Sequence, residues 1–410
     1  MGNSGWAINF SILIGILALI MLVILFIAVL FTRTPESKDV LKYFDSTFLI
    51  KATNYNKTVL LLSIAERFLT WAFMAGIIYI FWKNFYASNR IPIILAAALF
   101  ALFSIILFLI ILPLQYYKEF VVDHRFALSN QALPAWFVDV LKDRAISLII
   151  NTLGLTTIYA LIIYLPKHWW IAAAAIFILF IIIASFISPV IIDPLFYKFS
   201  VLEDKQLTNE IIKITQKATV SIGSILVADT SKKTNRVNAY FTGVGKTKRI
   251  VIYDNLLNQY TKKEVLSVIA HEVGHWKYKH IIKNIAMGAV GIIILFFIMY
   301  LLKSGFHLGA SVKLVLILFI LFSMISYITM PLQNFVSRYF ERQADKTAVE
   351  LTADPQTQVL MLEKLARTNL ANVKPNNIIK YLIYSHPPIM ERINNILSLS
   401  SGIINLTITI

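Results

Sequence analysis

Residues 91–113 read IPIILAAALFALFSIILFLIILP and contain no Asp, Glu, Lys or Arg. A helix that crosses a bilayer needs about 20 consecutive, mostly apolar residues, and this run supplies them. Six more runs qualify: 7–32, 58–82, 146–166, 169–192, 285–302 and 314–332. Only the run 58–82 carries charge, at Glu66 and Arg67. The whole chain of 410 residues is 58% hydrophobic and 15% charged, whereas soluble domains sit near 45–50% and about 25%. Disorder, a collagen-like chain and an ordinary cytosolic enzyme are excluded. The expected fold class is an all-α integral membrane protein with seven transmembrane helices. The first run lacks a basic start and a small-residue cleavage site before Arg33, so it reads as a span rather than a cleaved signal.

The formal charge is +16. In a soluble protein this would suggest nucleic acid, but the placement of the charges says otherwise. Of 38 Lys and Arg, 32 fall in alternate loops (33–57, 114–145, 193–284 and 333–410) and 5 in the others, with Arg67 inside a span. Positive charge concentrates on the cytoplasmic side of membranes. The N-terminus is therefore expected outside, and 193–284 and the C-terminal segment in the cytoplasm. The partner this implies is membrane lipid, not nucleic acid.

The spans divide the chain into membrane helices one to five (1–192), a small mixed α/β domain (193–284), helices six and seven (285–332) and a C-terminal helical segment (333–410). Ser224–Asp229, Arg236–Thr242 and Arg249–Tyr253 have the β-branched and aromatic content of strands, with a turn at Gly243–Lys246. Thr261 and Glu264 have capping-box spacing, which predicts a helix to about Lys279.

Inside that helix stands His271-Glu272-Val273-Gly274-His275. Spacing of i, i+4 stacks His271 and His275 on one face, where both imidazoles can bind one zinc ion. Glu272 can reach water on such a metal. A hydrolytic zinc needs a third protein ligand and one open position. The chain has no cysteine, so that ligand must be His, Asp or Glu. Past the last span, Glu341 and Asp345 share a helix face. Glu341 can ligate, and Asp345 can take the free N–H of a ligand histidine. Spacing alone leaves open another carboxylate, or a merely solvated helix end. His280 reads as a residue favoured by the helix C-terminal dipole. His124, His168 and His307 read as solvated. Glu66 and Arg67 read as paired across helices or facing a water-filled cavity.

His271–Trp276 together with Ser337-Arg338 and Glu341–Asp345 resemble the type I CAAX prenyl proteases, membrane zinc endopeptidases of the gluzincin type. Asp229-Thr230-Ser231, Asn238-Ala239-Tyr240-Phe241, Lys248–Val251 with Asp254–Leu257, and Ser385-His386-Pro387-Pro388 with Glu391-Arg392 add to the resemblance, as do Glu119-Phe120 and Pro194-Leu195-Phe196. It spans about residues 30–400. It implies a monomer with one zinc ion on His271, His275 and Glu341, and Glu272 as general base. Asp345 and Arg338 would stand behind the ligands. Asn238 and His386 would bind substrate or stabilise the oxyanion. The residues alone leave open whether Asn238 only ends a strand and His386 only caps a turn. The resemblance also implies seven helices around a chamber, closed at one end by the zinc-protease domain, and a peptide or lipidated-peptide substrate.

The chain ends Thr407-Ile408-Thr409-Ile410, without the dilysine signal of eukaryotic members. A prokaryotic cell membrane is therefore expected rather than the endoplasmic reticulum. Two other readings compete. A membrane quality-control metalloprotease keeps the chemistry, but such relatives have about four spans. A transporter or channel with a structural zinc would show inverted halves or broken helices, and no such symmetry is visible.

Overall fold

The computed structural model describes residues 5–84, 90–243, 248–306 and 308–407. Five long helices come first: α1 (Gly5–Leu30), α2 (Ser46–Asn84), α3 (Ile93–Gln115), α4 (Leu133–Tyr164) and α5 (Trp169–Ile187). Then come α6 (Lys205–Lys217) and α7 (Lys262–Lys277), followed by two more long helices, α8 (His280–Phe306) and α9 (Val312–Thr352). The chain finishes with α10 (Pro355–Asn369), α11 (Asn377–Ile383) and α12 (Ile389–Thr407). Among the described residues, seven helices are long and apolar enough to cross a membrane, α1 to α5 with α8 and α9.

Several helices outrun their apolar stretches. α2 starts at Ser46 rather than 58, α4 at Leu133 rather than 146, and α9 continues past 332 to Thr352. An apolar run marks the thickness of the bilayer, while a helix persists as long as one face has something to pack on. Phe48, Leu49 and Ala52 of α2 and Ala348 and Val349 of α9 are buried in the same apolar cluster as Leu256, Ile269 and Val273. A second apolar cluster lies among the spans and includes Phe100, Tyr159, Trp169 and Phe296.

A four-stranded sheet has the order β1-β2-β4-β3, with β1 (Phe199–Val201), β2 (Ser224–Ala228), β3 (Ala239–Thr242) and β4 (Arg249–Tyr253). β2 and β4 are parallel, and the two outer pairs are antiparallel. β3 starts later than the expected Arg236. The Asn369 side chain takes both the N–H and the C=O of Val237, at 3.0 and 3.1 Å, so that residue has no backbone groups left for a ladder. Gly243 has a left-handed φ of 82°. Val244–Lys246 of the expected turn, and His307, lie outside the described residues.

α7 has the capping box. The Glu264 N–H donates to Thr261 Oγ1 at 3.3 Å, and Glu264 Oε2 accepts from the Thr261 N–H at 2.7 Å. Such a cap is worth about 1 kcal/mol. Gly274 lets α7 approach α9 closely: a Cβ there would lie 2.8 Å from the Ala344 Cα and 3.2 Å from the Ala344 oxygen. This contact sets the histidines of α7 against the carboxylates of α9.

Candidate functional site

One helical turn separates His271 and His275 on α7, and their Nε2 atoms face each other at 3.2 Å. Glu341, buried on α9, approaches both. Its Oε2 is 3.2 Å from His271 Nε2, and its Oε1 is 3.4 Å from His275 Nε2. Three donors placed about 2.0–2.1 Å from a tetrahedral ion stand about 3.3 Å apart, so the spacing of these atoms fits a shared metal. Glu272 adds its carboxylate, and ligand atoms of His271, Glu272 and His275 lie within 4.8 Å of one another.

The rings are oriented from behind. His271 Nδ1 donates to Asp345 Oδ1 at 2.9 Å. Arg392 clamps Asp345 with two bonds, Nε to Oδ2 at 2.9 Å and Nη2 to Oδ1 at 2.6 Å. With its proton on Nδ1, the His271 lone pair is on Nε2, toward Glu341. Burial opposes charge on His271, yet the neighbouring carboxylates of Asp345 and Glu341 prevail and push its pKa up to about 10. The two carboxylates thus demand a cation between them, and a divalent metal meets that demand as a proton would. Burial also raises the Glu272 carboxyl above the ordinary carboxylate range, in the direction a general base needs.

The other expected residues sit as follows. His386 follows α11; its Nε2 lies 3.3 Å from Glu341 Oε1, and its side chain is 60% exposed. Ser385 Oγ is 2.9 Å from its Nδ1. Arg338 does not reach the histidines of α7. Its Nη1 donates to the carbonyls of Lys380 and Tyr384, at 3.1 and 2.5 Å, and so braces the segment that leads into His386. Asn238 lines a cavity of about 760 Å³ together with Trp136, Lys233, Arg236 and Tyr253.

Two histidine readings resolve differently, while Glu66 finds the cross-helix partner expected of it. His280 is buried, 2% exposed, at the start of α8. Its Nδ1 is 2.9 Å from His275 Nδ1, so it touches the cluster instead of serving the dipole of α7. His124 is half-buried between two carbonyls, Phe120 at 2.7 Å and Gln131 at 3.0 Å, rather than solvated. Glu66 pairs with Lys118 of the segment after α3, at 2.5 Å, while Arg67 lies over the Tyr327 ring at 4.7 Å. His168 is exposed.

Convergent imidazoles beside an acidic side chain, with seven membrane-length helices among the described residues, define a membrane metalloendopeptidase. Comparison with known proteins agrees. Residues 202–400 match the model of peptidase family M48, and residues 32–198 match that of the CAAX prenyl protease N-terminal part, described as five membrane helices. The chain belongs to peptidase family M48, among the CAAX prenyl proteases. It is 35% identical over 302 residues, 71% of each chain, to an uncharacterized metalloprotease, YhfN, of Bacillus subtilis. It is 33% identical over 308 residues, 70% of this chain and 69% of the other, to a CAAX prenyl protease 1 homolog of Arabidopsis thaliana. The crystal structure of S. mikatae Ste24p has the same fold, with a TM-score of 0.78, 24% identity, and coverage of 97% of this chain and 99% of that one.

Proposed function

We propose that this chain is a zinc-dependent endopeptidase of a prokaryotic cell membrane, cutting prenylated CAAX-type or related peptides near their C-terminus. The observation that carries this reading is the convergence of His271 Nε2, His275 Nε2 and Glu341 at 3.2–3.4 Å beside Glu272. These three residues would hold the metal. A zinc ion there supplies polarisation of the scissile carbonyl and a lowered pKa of the attacking water. Glu272 takes the proton of that water and returns it to the leaving amine.

The sheet positions the substrate. β3 is an edge strand. The Tyr253 N–H donates to the Asn238 carbonyl at 3.0 Å, so in the antiparallel ladder the backbone groups of Ala239 and Phe241 point away from β4. The Phe241 backbone lies beside the Glu272 carboxyl. The remaining free groups can pair with an extended peptide and lay its scissile bond beside the base. His386 donates to the oxygen that gathers negative charge, and Asn238 holds the peptide on the cavity side.

The distribution of Lys and Arg supports a catalytic part on the cytoplasmic side and an N-terminus outside. Family fold supports a helix-walled chamber. The working unit proposed is a monomer, as the family resemblance implies. The match of residues 32–198 to a five-helix N-terminal part favours this reading over a four-span quality-control protease. The test is cleavage of a farnesylated reporter peptide and its unlipidated twin, each with and without a chelator. Chelator-sensitive cleavage of the farnesylated peptide is expected. Equal turnover of the twin removes the prenyl specificity, and cleavage that survives metal removal removes the mechanism.

A further inference from the structure

The two histidines of α7 are backed by different chemistry. Behind His271 stands an ion pair, Asp345 with Arg392. Behind His275 stands a neutral chain. α7 ends at Lys277, Tyr278 caps it, and Lys279 takes a left-handed φ of 56°. This reversal brings the ring of His280 edge-on to His275, with centroids 5.1 Å apart and planes at 73°. His280 lies flat on Phe340, at 4.1 Å and 10°, so its plane is fixed. Its Nδ1 faces His275 Nδ1 at 2.9 Å, and its Nε2 faces Gln343 Oε1 at 3.0 Å. The Gln343 amide Nε2 donates in turn to the Tyr339 hydroxyl at 3.2 Å. Phe340 and Gln343 flank Glu341 on α9, so the helix that delivers Glu341 also delivers this support.

A neutral imidazole has one N–H and one lone pair. Two ring nitrogens 2.9 Å apart share one proton, so the chain from Gln343 to His275 has only two polarities. If the Gln343 oxygen accepts from His280 Nε2–H, then His280 Nδ1 accepts from His275 Nδ1–H. The His275 lone pair is then on Nε2, toward His271 and Glu341. If the amide is reversed, every proton moves along, and His275 carries an N–H pointing into the cluster. That proton would block ligation.

We propose that His280 and Gln343 are positioning residues that hold His275 in its metal-binding tautomer. The proposal rests on His275 being a metal ligand, as read above. A second-sphere partner of this kind is worth about 10–100-fold in metal affinity. The ring of His280 supplies one acceptor at Nδ1. His280→Asn keeps an amide oxygen near that position, whereas His280→Phe keeps the stack on Phe340 and removes the acceptor.

The test is zinc affinity by competition with a chelator, on full-length protein in detergent, with thermal unfolding of the metal-free forms as the fold control. His280→Phe should bind zinc about 10–100-fold more weakly, with metal-free unfolding unchanged. His280→Asn should stay within a few-fold of wild type, and Gln343→Glu, which can only accept, should do likewise. Zinc binding by His280→Phe equal to wild type overturns the proposal. So does an Asn variant as weak as the Phe variant while its metal-free unfolding matches wild type. His275→Ala separates the two readings: if it holds zinc as tightly as wild type, the ligand assignment fails. If it loses zinc while His280→Phe does not, only the relay fails.

Discussion

Between the spans, Glu66 meets Lys118 at 2.5 Å with both side chains 18% exposed. Gln115 joins the same region: its amide donates to Glu119 at 2.9 Å, and its oxygen accepts from Arg144 at 2.6 Å. Between α7 and α9, by contrast, two imidazole nitrogens and a carboxylate face one another, and among the described residues Glu341 Oε2 accepts no hydrogen bond. Both regions bury charge. In the first, each charged group has an opposite or polar partner. In the second, electron-pair donors converge, which is unfavourable until a cation joins them. Burial of charge is therefore a weak sign of chemistry; convergence of like donors is a strong one.

The comparison can be broken at several points. The largest effect belongs to Glu272→Gln. Turnover should fall about 10²–10⁴-fold, the range of a general base, while zinc content by metal analysis stays at one per chain. Loss of zinc together with activity would instead make Glu272 part of the metal cage. Next comes the membrane pair. Lys118→Met leaves the half-buried Glu66 without its cation and should cost about 1–3 kcal/mol, the cost of leaving such a group unpaired. Adding Glu66→Gln should return most of that, with zinc content unchanged throughout; a double variant no more stable than the single would mean that the charges serve something besides each other.

Gly274→Ala should cost about 1–3 kcal/mol by overpacking, because its Cβ would meet the Ala344 backbone at 2.8 Å. Zinc affinity should drop with it, as α7 and α9 are pushed apart. Unchanged affinity would show that the ligand spacing does not depend on that contact.

Asp254 gives the smallest effect and the clearest sign. Burial opposes its charge, but the hydroxyls and N–H groups of Ser231 and Thr230 lower its pKa below the usual value. Its Oδ1 accepts from the Thr230 N–H and hydroxyl at 3.0 and 2.8 Å, and its Oδ2 from the Ser231 hydroxyl at 2.6 Å. A depressed carboxyl stabilises above its unfolded value, about 3.9, and that stabilisation is lost as pH falls through the folded value. Asp254→Asn should therefore cost about 1 kcal/mol near neutral pH, and the gap in denaturation midpoint should close below about pH 4. A gap that widens in acid would reverse the assignment.

Much of the site could be read in the chain because it is periodic. His271 and His275, and Glu341 and Asp345, each sit one helical turn apart, and Thr261 with Glu264 marks where α7 begins. The spans were legible because about twenty uncharged apolar residues in a row fit a bilayer-crossing helix and little else. β1 was not, since Phe199–Val201 is only three residues long and shows no alternation. His280 was misread because its place depends on Lys279 adopting φ of 56°, and no side-chain type at that position announces a left-handed turn. The role of Arg338 was hidden for a related reason. It shares a helix with Glu341, but its bonds go to carbonyls more than forty residues later in the chain, a distance that local spacing does not register.

α9 is one uninterrupted helix of 41 residues. At 1.5 Å per residue it is about 60 Å long, roughly twice the hydrocarbon thickness it crosses. Its first half lies among the spans, and its second half carries Glu341 and Asp345. His271 and Glu341 are thus separated in sequence by α8 and the apolar half of α9. No water-soluble fragment can contain both, so any preparation that retains the assembled triad must bring two bilayer-crossing segments with it.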